Sequence, residues 1–150
     1  LGVPGNVTAV AEFNFWADAD AAAVVVLDSG FSLFLVGLNV TRNMVLAQED
    51  MLALTRGDAV AQGAARMIEF IVANEGEYPF HDPLALTAAL KPEFFTWDTM
   101  QVNVETRGTL CRGQIIPCKD GERGAAIKIA TGADYRRCRD FLLDLWLGGV

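Results

Sequence analysis

The sequence has no long apolar run, few cysteines and a single histidine. Its nearest approach to a membrane-spanning segment, residues 31–38, is far shorter than the roughly 18 residues that such a helix needs, which indicates a soluble protein. The three cysteines, Cys111, Cys118 and Cys138, are odd in number and lack the spacing of metal sites. A reduced, cytoplasmic protein is therefore favoured over one built on disulfide bonds.

Positive charge is also scarce. The 12 Lys and Arg residues are outnumbered by 19 Asp and Glu residues, which gives a formal net charge of −7 and a pI near 4.6. The densest basic group, Arg136, Arg137 and Arg139, lies among acidic neighbours. Because phosphate backbones and anionic lipids are bound through clustered positive charge, this balance argues against nucleic acids and membranes as partners.

What the sequence does contain is enough apolar material for one α/β domain. At 150 residues and 52% apolar content, a single core can bury about two thirds of the unfolded surface. Asp18 or Asp20 can cap an Ala-rich helix that ends near Ser29 and Gly30, and residues 31–37 then form a buried strand. A helix that leads into an apolar strand is typical of a sheet covered on both faces. We expect an α/β fold with a mixed, mainly parallel open sheet flanked by helices.

Further elements follow from apolar periodicity and from helix caps and stops. We expect helices over 48–55, from Asp58 to near Gly76, over 83–90 with Asp82 as the cap, and over 134–147, and strands over 100–106, 113–117 and 125–130. A tight turn is predicted at Lys119, Asp120 and Gly121, between the last two strands.

The opening stretch, residues 5–14, places polar side chains in an otherwise apolar run. If it is extended, Glu12 and Asn14 share one face and Phe13 lies on the other. A carboxylate and a carboxamide, with Asn6 upstream as a third group, form a donor and acceptor set that binds the vicinal hydroxyls of a sugar. In the alternative, the same three polar residues satisfy loop backbone groups and cap the helix that follows.

The chain's one histidine, His81, stands next to Asp82 and Pro83. An imidazole titrates near neutral pH and can donate a proton to a leaving group. The alternative is structural, because a histidine before a helix, with Pro83 at the first helical position and Asp82 as the cap, needs no catalytic role. Tyr78 and Phe80 just upstream either close over a ligand or simply pack.

Five motifs occur in order along the chain: Gly5-Asn6-Val7-Thr8, Glu12-Phe13-Asn14, Asp18 to Ala22, Val36-Gly37-Leu38-Asn39-Val40-Thr41 and His81-Asp82-Pro83. In order and spacing they resemble the nucleoside hydrolase family, the inosine- and uridine-preferring, calcium-dependent N-ribohydrolases. The resemblance implies the α/β fold of that family and hydrolysis of ribonucleoside substrates to ribose and free base.

The resemblance also implies roles for individual residues. Asp82 is expected to bind a calcium ion and to touch the ribose. His81 is expected to donate a proton to the departing base, and Phe13 to wall the base pocket. Three polar residues of the opening stretch are expected to bind the ribose hydroxyls: Asn6, Glu12 and Asn14.

The sequence also departs from the family in two places. The resemblance covers only the C-terminal half of the family's length, and the chain starts at Leu1 without Met, so we expect that upstream sequence has been lost, cleaved or omitted. The family's motif Asp-x-Asp-x-Gly-x-Asp-Asp, which supplies most calcium ligands and the water-activating base, is absent. Asn39 replaces a family Asp at a position that is not expected to be catalytic. Residues 1–150 are therefore expected to be the C-terminal portion of a single nucleoside hydrolase domain, inactive alone.

Other interpretations remain at this point. The chain is either part of an enzyme or a non-catalytic remnant or subunit that keeps ribose-binding groups. A coincidental match of five ordered motifs on an unrelated α/β domain is the least favoured interpretation. By resemblance, the full-length protein is expected to form a homo-oligomer, either a dimer or a tetramer.

Overall fold

The chain combines helices and strands in a computed structural model, which describes residues 2–75 and 78–148. The helices are α1 (Phe13–Ala17), α2 (Ala19–Asp28), α3 (Leu38–Thr41), α4 (Gln48–Thr55), α5 (Ala59–Glu75), α6 (His81–Leu90) and α7 (Tyr135–Trp146), with a 3-10 helix over Pro92–Phe94. The strands are β1 (Phe34–Leu35), β2 (Phe95–Val104), β3 (Ile115–Pro117) and β4 (Ala125–Ala133). Two compact units result, a first of Leu1–Asn39 with Trp97–Thr131 and a second of Val40–Thr96 with Gly132–Val150.

The four strands form one mixed sheet in the order β1-β4-β2-β3. β1 runs parallel to β4, with Phe34 opposite Lys128, and β2 runs antiparallel to β3, with Val102 opposite Pro117. The predicted α/β class with a mixed sheet is confirmed. In the first unit, α2 packs on this sheet through a small apolar core: Ala19, Val26, Val102, Val104, Ile127 and Ile129.

Aspartates open three of the helices, as the sequence predicts. The Asp18 carboxylate accepts a hydrogen bond from the backbone N–H of Ala21 at 2.9 Å, and α2 ends before Gly30, whose φ is +69°. Asp58 and Asp134 accept corresponding bonds at the starts of α5 and α7. Each carboxylate satisfies a backbone donor that the first helical turn leaves unpaired. The stop expected at Gly76 lies outside the described residues.

Three expectations about local structure are wrong. The opening stretch is not extended: residues 2–12 form an irregular loop and α1 begins at Phe13. Helix α6 begins at His81 rather than after Asp82, so Asp82 lies within its first turn. The strand expected over 31–37 is confined to β1, because the chain turns into α3 at Leu38.

The second unit is held by an ion pair and by aromatic packing. Asp50 of α4 is 2% exposed and is bound through both carboxylate oxygens by the guanidinium of Arg139 in α7. This contact holds the pKa of Asp50 below its ordinary value, with burial working in the opposite direction. Phe80, fully buried just before α6, packs edge-on against Trp146 with ring centroids 5.6 Å apart. The start of α6 therefore lies on a fixed support.

Among the described residues, no helix combines the length and the apolarity that crossing a bilayer requires.

Candidate active site

The loop that carries the first motif is built around Gly5. Its N–H donates to the Ala9 carbonyl at 3.2 Å, and the Thr8 hydroxyl accepts from the backbone N–H of Ala11 at 3.0 Å. A Cβ at position 5 would lie 2.1 Å from the Ala11 oxygen and 2.4 Å from the Thr8 oxygen. Only glycine fits there, so the Gly and Thr of this motif set the shape of the loop.

Asn6 has a structural task in this loop. Its side-chain carbonyl oxygen accepts from the backbone N–H of Phe13, the first residue of α1, at 2.9 Å. The predicted alternative, that the polar residues of this stretch cap the next helix, therefore holds for Asn6. The amide group of Asn6 takes no part in that bond and can still donate to a ligand.

The other polar residues of the opening stretch lie at the start of α1. The Asn14 amide donates to the Glu12 carboxylate at 3.4 Å, so these two side chains meet, although the extended backbone expected to align them is not present. Glu12 is half-buried and Asn14 is exposed. Phe13 is 54% exposed and packs loosely on Trp16, with centroids 6.4 Å apart. An exposed ring of this kind can serve as one wall of a pocket.

The loop borders two cavities within the first unit. A small one of about 40 Å³ is lined by Glu12 together with Gly5, Gly37 and Asn39. A larger groove of about 580 Å³ shares Asn39 and adds polar and apolar side chains: Asp98, Met100, Gln114, Ile129 and Thr131. Glu12 is therefore placed at a concave surface, as a binding role requires.

Asn39, which stands where the resemblance expects Asp, donates its amide to the Ala130 carbonyl at 2.9 Å. A carboxylate cannot make this bond, because it has no hydrogen to donate. Asn39 thus joins α3 to β4 at the rim of the groove. Its partner lies 91 residues away and cannot be predicted from local sequence.

In the second unit, His81 occupies the first position of α6. Its Nδ1 atom lies 2.6 Å from the hydroxyl oxygen of Thr41, the last residue of α3. Burial lowers the pKa of His81 below its ordinary value, Asp82 raises it and Arg42 lowers it further. The sequence predicts an imidazole that titrates near neutral pH, whereas the lowered pKa of His81 favours the neutral ring.

Asp82 does not cap α6. The cap position belongs to Phe80, which has no side-chain acceptor, and Asp82 lies exposed in the first turn. Its carboxylate accepts no hydrogen bond from the residues that the structure describes. Its charge acts instead on its neighbours, raising the pKa of His81 and adding to the rise that burial causes in the pKa of Tyr78. The capping explanation for this aspartate is therefore removed, and its remaining structural role is the favourable placement of a negative charge in the first turn of a helix.

The chain matches the inosine-uridine preferring nucleoside hydrolase family over residues 1–140. The chain belongs to this family. Similar curated relatives include the probable uridine nucleosidase 1 of Oryza sativa subsp. japonica, 34% identical over 75% of this chain and 36% of the relative. Another is the pyrimidine-specific ribonucleoside hydrolase RihA of Enterobacter sp. (strain 638), 33% identical over 75% of this chain and 38% of the relative. The chain thus spans well under half the length of these relatives.

Solved structures of nucleoside hydrolases have the same fold. The plant nucleoside hydrolase PpNRh1 superposes with a TM-score of 0.82 at 25% identity, over 97% of this chain and 50% of that one. The purine-preferring ribonucleoside hydrolase from Gardnerella vaginalis gives 0.84 at 25% identity, over 98% and 49%. These comparisons confirm the resemblance on which the residue assignments were made.

For a nucleoside hydrolase of the calcium-dependent kind, the metal ligands here are incomplete. Across residues 2–75 and 78–148, no group of three or more His, Cys, Asp or Glu side chains is arranged to hold a metal ion. Calcium typically takes six to eight oxygen ligands. The exposed carboxylate of Asp82 can supply one of them, so the described residues by themselves do not fit a calcium site.

The structure places the predicted residues in two groups, one in each unit. Asn6, Glu12, Phe13 and Asn14 cluster at the start of α1, and His81 and Asp82 open α6. The one site residue that sequence reasoning missed is Thr41, the partner of His81. Its signal was present, since Thr41 ends a family motif, but a contact across 40 residues cannot be read from local pattern.

Proposed function

We propose that the full protein containing this chain hydrolyses the N-glycosidic bond of ribonucleosides and releases ribose and free base. Water supplies a hydroxyl group to the anomeric carbon of the ribose, and a proton ends on the nitrogen of the departing base. Family membership over residues 1–140 supports the reaction class. The similar proteins carry names for pyrimidine and for purine preference alike, so the substrate proposed is a ribonucleoside of either base class.

The first unit would hold the ribose. The Asn6 amide, the Glu12 carboxylate and the Asn14 carboxamide offer both donors and acceptors to vicinal hydroxyls. Glu12 lines a concave surface, and the capping bond of Asn6 uses only its oxygen. Phe13, with half of its ring surface exposed, would form a wall for the base.

The observation that carries the proposal lies in the second unit, where a histidine with a fixed side-chain partner stands beside a carboxylate that makes no hydrogen bond to the described residues. His81 is held by Thr41, and the Asp82 side chain neither caps α6 nor bonds to other described residues. We assign His81 the proton donation to the leaving base, which typically accelerates a reaction by about 10²- to 10⁴-fold.

Among the described residues, Asp82 is the one that we propose as a calcium ligand. Asp82 would supply one ligand and contact the ribose, while the remaining ligands and the base that activates water would come from outside the described residues. One carboxylate neither binds calcium tightly nor generates a nucleophile. The 150-residue chain alone is therefore expected to be inactive. A homo-oligomeric assembly and a cytoplasmic location stay predictions from the sequence.

Ribose release from inosine and uridine by the full native polypeptide tests this proposal, with calcium present and after chelation. His81→Gln should lower kcat by about 10²-fold or more, and Asp82→Asn should raise the calcium concentration needed for activity. Asp58→Asn is the matched control, because Asn caps a helix as well as Asp does and Asp58 only opens α5. Full activity of His81→Gln would remove His81 from the chemistry. Nucleoside binding without any ribose release would favour the non-catalytic remnant.

A further inference from the structure

The side chains of Thr41 and His81 meet in the second unit. Thr41 is 2% exposed, and its hydroxyl oxygen lies 2.6 Å from His81 Nδ1. At this distance the oxygen and the ring nitrogen are hydrogen-bonded, and the bond is short. A buried threonine directed at the only histidine of the chain fixes one end of the imidazole ring.

The main chain brings the two residues together independently of that hydroxyl. The backbone N–H of Phe80 donates to the Met44 carbonyl at 2.9 Å, and Val45 pairs with Pro79 in an antiparallel bridge. The N–H of Met44 in turn donates to the Thr41 carbonyl at 3.3 Å. Because this backbone ladder holds the segments on either side, the hydroxyl is not needed to bring them together. Its own contribution is to the orientation of the ring.

The direction of the hydrogen bond follows from what the hydroxyl can otherwise do. Within the described part of the chain, His81 Nδ1 is the sole hydrogen-bond partner of the Thr41 hydroxyl. If the hydroxyl accepted a proton from Nδ1, its own hydrogen would be buried without an acceptor, which is costly. If it donates to Nδ1, that hydrogen is satisfied, and a neutral imidazole then carries its proton on Nε2.

We propose that Thr41 is a positioning residue: its hydroxyl donates to Nδ1 of His81, fixes the ring plane and keeps the ring proton on Nε2. This inference rests on the proposed function, in which His81 donates to the departing base. A neutral imidazole with its proton on the free Nε2 offers that hydrogen to the nitrogen of the departing base as a hydrogen bond. Because loss of that proton from the neutral ring would leave an imidazolate, full proton transfer requires the ring to take up a second proton at Nδ1, and the Thr41 hydroxyl then rotates to accept from it. The Nε2 hydrogen also has one fixed direction, because the opposite ring nitrogen is held.

Nitrogen-15 NMR of the imidazole in the full native polypeptide tests the bond directly, at a pH where the ring is neutral. The His81 signal is assigned by its loss in His81→Gln. The native ring should show one protonated nitrogen, Nε2, and one unprotonated nitrogen, Nδ1. Thr41→Val, which keeps the shape and removes the hydroxyl, should shift both signals toward a mixture of tautomers. Thr41→Ser should restore the native pattern.

Thr87→Val is the matched control. Thr87 is also fully buried and lies in α6, but its hydroxyl donates to the Pro83 carbonyl at 2.8 Å rather than to the imidazole. It should therefore cost some stability and leave the His81 signals unchanged. In the activity assay, Thr41→Val should lower kcat about tenfold with KM nearly unchanged, as loss of orientation does, and Thr41→Ser should recover most of it.

Two results overturn the inference. A native ring with its proton on Nδ1 shows that Thr41 accepts rather than donates, and this reading needs no variant to fold. Native tautomer signals in folded Thr41→Val show that the hydroxyl does not set the ring state. A native protein that releases no ribose defeats the proposed function instead, and the tautomer measurement still decides the direction of the bond.

Discussion

The opening loop and the start of α6 both carry family motifs, yet their motif residues do different work. In the loop, Gly5 and Thr8 set the backbone path and Asn6 bonds to the first N–H of α1. At α6, Asp82 has no such task, and the contact that matters joins His81 to a distant threonine. A motif therefore does not mark a uniform set of site residues. The loop motif contains both residues that shape the backbone and candidate ligand-binding residues. The motif at α6 contains mainly candidate catalytic and ligand-binding residues.

Among the substitutions considered, Gly5→Ala in the opening loop should have the largest effect on stability. Gly5→Ala forces a Cβ against two backbone oxygens that cannot move away as a flexible side chain does, so we expect the free energy of unfolding to fall by about 3 kcal/mol. Urea unfolding of the full native polypeptide measures it. The matched control is Gly63→Ala in α5, where a Cβ meets nothing within 4 Å. This substitution should raise the free energy of unfolding by at most about 1 kcal/mol. Equal effects of the two substitutions would show that Gly5 does not shape the loop.

Sequence reasoning succeeded where a signal and its consequence lie within a few residues. The aspartates at 18, 58 and 134 bond to N–H groups three residues on, so local pattern is enough to predict them. The same rule failed at Asp82, where Phe80 takes the cap position. It also failed to place Asn39 against Ala130, because which strand passes nearby is decided by the whole fold. The class of fold and the candidate residues were readable, whereas their partners were not.

The opening loop and the second unit also differ in the charge of the contacts that hold them. The loop is held by neutral hydrogen bonds, whereas the second unit is held by a buried ion pair. Arg139→Met leaves the Asp50 carboxylate buried without its partner. Loss of a buried partner typically costs 3–5 kcal/mol. Since the Arg139 side chain is 35% exposed and screened by water, we expect about 2 kcal/mol at pH 7. Arg123→Met breaks an exposed pair with Asp28 in the first unit and should cost under about 0.5 kcal/mol.

The difference in free energy of unfolding between the native protein and Arg139→Met should depend on pH. The folded pKa of Asp50 is lowered, chiefly by its hydrogen bonds to Arg139, below the ordinary value of 3.8. The pair therefore contributes its full stability above that value and loses it as the pH falls through the folded pKa. Denaturant unfolding of the native protein and Arg139→Met between pH 7 and 3 should show the gap narrowing in acid. A gap that stays constant would mean that packing, not charge, gives Arg139 its effect.

The smallest expected effects concern Asn6, whose side chain has a structural role through its oxygen and a proposed ribose-binding role through its amide. Asn6→Ala removes the oxygen that accepts from the Phe13 N–H and should cost about 1 kcal/mol of stability. Asn6→Asp keeps an acceptor oxygen but loses the amide donor, so it should unfold like the native protein. If the amide holds a ribose hydroxyl, KM for inosine and uridine should nevertheless rise about tenfold in Asn6→Asp, the size of one lost hydrogen bond. A native KM in that variant would assign Asn6 to the loop alone. Ribose binding in the first unit would then rest on Glu12 and Asn14.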